Sequence, residues 1–173
     1  MTAAARNSRI SILTQRFMKY LLSLLLLVLA TVQPINAKDA DPVKYDIMSA
    51  GSGVQGTYLV KVYVYAKSGK VSDQQLMYAA VHGVLFRGFQ GKPSAPALAG
   101  QPVVEEQKAD YFTAFFAEKG GAYQSYASIV PGSYERIKTG KGYKVGAIVQ
   151  VKKDQLRSDL SSAGIIRGLT DGF

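Results

Sequence analysis

His82 is the only histidine among 173 residues, so any base, metal or proton-relay chemistry that needs an imidazole has one address. It lies within Ala80-Val81-His82-Gly83-Val84. A nucleophilic site needs a serine or cysteine beside the ring and a carboxylate to orient it. The chain has no cysteine, and the nearest acid in sequence, Asp73, lies too far along a helix to bond the ring. No catalytic residue is therefore assigned, and His82 is expected to be a satisfied histidine at a helix border, donating to a loop carbonyl. A hydrolase using His82 and a serine is the remaining enzymatic reading. One histidine and no cysteine also argue against a transition-metal cluster, which leaves carboxylate-only calcium binding as the metal alternative. No cofactor is expected.

Gly51-Ser52-Gly53-Val54-Gln55-Gly56 has the glycine spacing of a dinucleotide loop, but a strand follows it where a helix N-terminus should hold the pyrophosphate. A strand-to-strand turn fits better. Gly88-Phe89-Gln90-Gly91-Lys92 closes a helix instead of opening one, so it reads as a C-cap and not as a phosphate cradle. Phe112, Phe115 and Phe116 form an aromatic band that could line an apolar pocket, although this spacing is usual for the core face of an amphipathic helix. Ile165, Ile166, Leu169 and Phe173 form an apolar tail suited to docking on the domain or on a second copy. Phe173 is a β-barrel-like ending, but the segment before it lacks the alternation a barrel strand needs.

Several elements must position these residues. Residues 43–48 alternate as a first strand, and 57–66 (TYLVKVYVYA) form the strongest one. In the latter, Tyr58, Val60, Val62 and Val64 share one face, while Leu59, Lys61, Tyr63 and Tyr65 share the other, an expected exposed tyrosine stripe. Ser72 and Gln75 form a capping box for a helix whose Leu76, Ala80 and Val84 repeat every four residues, ending near Gly88. Residues 90–101 lack periodicity and read as a loop. Pro102, Glu105 and Glu106 open a second helix that Lys119-Gly120 close. Residues 123–130 and 143–151 alternate as an antiparallel pair, and Asp154 caps a final helix with Leu156 and Leu160 inward, stopped at Gly164. The order implies an α+β domain: a single antiparallel sheet of about four strands with two or three helices packed on one face.

Residues 21–32 (LLSLLLLVLATV) carry no charge, follow Lys19, and precede the small-residue pattern Ile35-Asn36-Ala37. This is the layout of a secretory signal over residues 1–37, followed by a flexible lead at 38–42 and one domain at 43–173. An uncleaved membrane anchor is the alternative, but a span needs about 20 apolar residues. Met18-Lys19 would make a compact start in place of Met1. The expected location is the periplasm or cell envelope.

The net charge is +9, but four cations and no acid precede the expected cut, so the remainder carries 17 cations against 12 acids. Its lysines are scattered, the densest run being Lys138, Lys141 and Lys144. Nucleic-acid binding would concentrate them on one element, so no nucleic acid is expected. Peripheral contact with anionic lipid or cell-wall polymer is the sharper alternative to a solvated surface.

Gln55-Gly56-Thr57-Tyr58, the His82 block, Phe86-Arg87-Gly88-Phe89, Lys108-Ala109-Asp110-Tyr111-Phe112 and residues 156–166 together resemble a family of uncharacterised exported proteins of Gram-negative bacteria. More distantly, the element order is similar to the small envelope lipoprotein domain of flagellar outer-membrane-ring proteins, which self-assemble and are not enzymes. The lipid-bearing cysteine of those domains is missing. The export signal, the tyrosine stripe, the apolar tail and the lack of a nucleophile and base pair together point to a non-catalytic envelope module that binds itself or another envelope protein, with Tyr63, Tyr65, Ile165, Ile166, Leu169 and Phe173 as its candidate surface. The alternative is a periplasmic carrier of a small apolar or lipid ligand, with Phe112, Phe115 and Phe116 lining its pocket.

Overall fold

Alternating valines make one face of the strongest strand apolar, and that face organises the molecule. The structure is a computed structural model that describes residues 43–101 and 103–166. The expected leader, the lead at 38–42, and Leu169 and Phe173 lie outside the described residues. Strands β1 (Tyr45–Ser49), β2 (Tyr58–Ala66), β3 (Ala127–Ile129), β4 (Glu135–Thr139) and β5 (Gly142–Val151) form one antiparallel sheet. Its order is β1-β2-β5, with β3 and β4 pairing successive stretches of the far edge of β5. Val62 stands between Ile47 and Ala147 across three strands, and Val60 and Val64 are likewise almost wholly buried.

Helix α1 (Asp73–His82) packs Leu76, Ala79, Ala80 and Val81 on this apolar face. The capping box forms as expected: Ser72 Oγ accepts from Gln75 N at 3.3 Å, and Gln75 Oε1 accepts from Ser72 N at 3.0 Å. After His82 the chain widens into one π-helical turn, Gly83–Arg87, in which Gly88 N donates to Gly83 O. The carbonyls this turn frees at Val84 and Leu85 accept from Leu98 N and Ala99 N of the following loop. At Gly83 the helix comes so near the sheet that a Cβ would stand 2.7 Å from Ile47 Cδ1.

Helices α2 (Val103–Gln107), α3 (Ala109–Phe115) and α4 (Lys153–Ser162) bring the elements of the described residues to five strands and four α-helices. It is the expected α+β class with one strand more than anticipated. The continuous helix expected from Pro102 to Lys119 is instead two short ones, broken at Lys108, where φ is −118° and ψ is 32°. The break turns α3 so that Phe112 and Phe115 reach the core, whereas α2 buries no residue. Residues 123–126 are not strand either. Tyr123 is drawn into the core, its hydroxyl bonding Gln74 O at 3.4 Å, and the chain curls through a 3-10 turn (Ala122–Tyr126) before β3 begins. Strand β4 was not expected, because it has no apolar face to mark it. Asp154 does not cap α4: Lys152 holds that position without a side-chain bond, and Asp154 lies in the first turn. Leu156 and Leu160 do point inward, and Gly164, at φ +66°, ends the helix while Ile165 N donates to Leu160 O.

Candidate interaction surface

All helical packing lies on the valine face, and the opposite face of the sheet is left without a helix among the described residues. Strand alternation and register set what stands there. Asp46, Tyr63, Gly146 and Glu135 line up across β1, β2, β5 and β4; beside them run Tyr65, Lys144 and Ile137, and then Met48, Lys61 and Ile148. Met48, Tyr65 and Ile137 are exposed at 41%, 38% and 46%.

The charges on this face are pre-arranged. Asp46 Oδ2 accepts from Lys144 Nζ at 2.7 Å and from Tyr65 Oη at 2.6 Å. Those two bonds, the lysine's first, hold the Asp46 carboxyl below its ordinary range, and the Lys144 ammonium is raised in return. Glu135 pairs with Lys61 at 2.8 Å and is lowered by that contact. Lys144 and Lys61 lie 4.5 and 5.4 Å from the centre of the Tyr63 ring, and Lys44 lies 5.5 Å from that of Tyr65.

Tyr63 corrects the expectation of a bare stripe: it is 8% exposed. Its ring lies across Gly146, where a Cβ would meet Tyr63 Cδ1 at 2.6 Å, and the two lysines close over it. Tyr65 is thus the exposed member of the pair. Ile166 is buried and Ile165 half-buried, both against the domain's own core, so neither offers a free docking face. Phe112 and Phe115 are buried in the same core, and Phe116 is partly buried against it. Their rings pack on one another with centroids 4.9–6.1 Å apart, so a ligand between them would have to part them.

The glycine loop joins β1 to β2 and lines an open cavity of about 230 Å³ with Tyr58, Phe89 and Lys153. The N-terminus of α4 does lie beside it, but Asp154 N donates to Gly56 O at 3.2 Å. Lys153 Nζ is likewise engaged by Asp154 Oδ1 at 2.5 Å. Both of these donors are thus engaged within the chain.

His82 has partners that sequence distance concealed. Its Nε2 lies 2.9 Å from Glu105 Oε1 and its Nδ1 2.6 Å from Tyr45 Oη. A carboxylate only accepts, so Nε2 carries the proton of the neutral ring, and Nδ1 accepts from the Tyr45 hydroxyl. Tyr78 stacks on the imidazole at 5.2 Å, and the Arg87 guanidinium lies 4.6 Å from the centre of the Tyr45 ring. Burial pushes the Tyr45 phenol far above its ordinary value. Burial also lowers His82, against the opposing pull of Glu105. The phenol is thereby a weak acid buried in the domain, and the arrangement ties α2, the end of α1 and β1 together. Expected partnership with a loop carbonyl gives way to these two side chains. The signal for Glu105 was its place in the first turn of a helix, which marks a charge preference but not a contact.

No family model matches this chain, and neither the curated proteins nor the solved structures compared with it provide a match.

Proposed function

We propose that this chain is a non-catalytic, exported module of the cell envelope that works by self-association through the open face of its sheet. One observation carries the reading: a sheet face free of helix among the described residues, on which exposed Tyr65, Met48 and Ile137 stand among charges already fixed in place. Rows bearing lysine adjoin rows bearing Asp46 and Glu135. A second copy related by a two-fold axis can therefore set cation against carboxylate and apolar corner against apolar corner. Preformed ion pairs lower the ordering cost of such an association.

Light scattering of the protein across the micromolar range tests this. A concentration-dependent dimer that Tyr65→Asp converts to monomer, with unchanged circular dichroism, supports the reading. A strict monomer throughout contradicts it.

A further inference from the structure

Two turns that are far apart in sequence meet at one end of the sheet. The turn after β2 and the hairpin joining β4 to β5 are brought together by the register Ala66 to Tyr143. They touch: a Cβ on Gly69 would stand 2.9 Å from Arg136 Cδ, and one on Gly142 2.5 Å from Ala66 O. Residues 66–72 and 136–145 contain six cations and no acid. Lys144 among them is committed to Asp46. Lys67, Lys70, Arg136, Lys138 and Lys141 form no ion pair among the described residues.

The flanking carboxylates offset little of this charge, because Asp46 and Glu135 each face a lysine of their own and only Asp73 is without one among the described residues. Asp46 holds Lys144 and Tyr65, Glu135 holds Lys61, and Asp73 accepts from Tyr134 Oη at 2.7 Å. Cations scattered in the sequence thus gather into one net positive patch in the fold, five of them against the single charge of Asp73. It is spread over two turns and an edge strand.

We infer that this cationic end of the sheet docks on the anionic phospholipid surface of a bilayer. Lysine and arginine near such a surface each strengthen attachment by about fivefold, with no pocket required, and the attraction fades within a Debye length. The inference stands apart from self-association, since it uses the sheet end and not the open face. Failure in one experiment leaves the other untouched.

Co-sedimentation with vesicles tests it, using the full chain purified from its host. Vesicles of phosphatidylcholine alone are compared with vesicles in which about a third of the lipid is phosphatidylglycerol, the range in which surface charge recruits basic proteins. Preferential binding to the anionic vesicles, weakened by salt, is expected. The triple variant Lys67→Gln, Lys138→Gln, Lys141→Gln should lose on the order of a hundredfold in affinity. The charge-matched control Lys92→Gln, Lys119→Gln, Lys152→Gln should bind nearly as the parent does, and circular dichroism verifies both folds. Equal binding to the two vesicle types, or equal losses in the two triple variants, would overturn the inference. So would release by inorganic phosphate at matched ionic strength, which marks a phosphate site, or sedimentation with isolated cell-wall polymer in place of vesicles.

Discussion

His82 shows how folding supplies a lone histidine with partners that its sequence neighbours do not offer. Its ring is sandwiched between a carboxylate that accepts and a phenol that donates, so removing it leaves two polar groups without their partner. Of the two, only Tyr45 is buried, the Glu105 side chain being 39% exposed and able to take water in place of the ring. A buried group left unpaired costs about 1–3 kcal/mol, and His82→Ala should lower stability by about that much in urea denaturation. Tyr45→Phe removes only one bond and should cost about 1 kcal/mol. The pH dependence has a definite sign. Burial holds the folded histidine below its ordinary 6.5, so the unfolded chain binds the proton more readily. This contribution to stability is complete above about pH 6.5 and declines as pH falls from there toward the folded value. A stability profile that stays flat from neutrality to pH 5, or a His82→Ala variant with the parent's acid sensitivity, would contradict this. None of the partners could be read from sequence spacing, because Tyr45 and Glu105 lie 37 and 23 residues away.

Elements were legible where a periodic apolar face marked them. Strand β2, strand β5, helix α1 with its capping box and helix α4 with its glycine stop all show such a face, and each forms close to its expected bounds. Elements that answer to distant contacts were not. The helix from residue 102 breaks at Lys108 so that the phenylalanines can reach the core, and Tyr123 converts expected strand into a 3-10 turn. Glu-Arg-Ile-Lys-Thr becomes β4 only because β5 lies beside it. Gly146 belongs to this scale as well, because its lack of a side chain is what lets Tyr63 lie flat across β5. Replacing it by Ala places a Cβ 2.6 Å from Tyr63 Cδ1 and 2.9 Å from Val62 O, and neither neighbour can withdraw freely. Overpacking of this kind typically costs about 1–3 kcal/mol. Gly146→Ala should fall in that range by urea denaturation and should raise the exposure of Tyr63 to iodination. Parent-like stability together with parent-like Tyr63 reactivity would show that the ring does not depend on this gap.

For the whole molecule, the consequence of one-sided packing is a division of labour between the two faces of the sheet. The valine face carries the core, with α1, α3 and α4 contributing to it, while among the described residues no helix covers the tyrosine and lysine face. No helix among the described residues is long and apolar enough to cross a membrane. The alternation in β2 announced the two faces, but the burial of Tyr63 beneath Lys61 and Lys144 depended on strand order, which no local pattern encodes. Pairing of the open faces is the claim on which the functional proposal stands, and the absence of native cysteine allows a direct test. A spin label is placed by Met48→Cys on the open face, or by Glu106→Cys on the exposed side of α2 as a control, and dipolar coupling between copies is measured as protein concentration rises. The account predicts a defined intermolecular distance from position 48 that Tyr65→Asp abolishes, and none from position 106. Coupling that is absent at position 48, or equal at both positions, would contradict it.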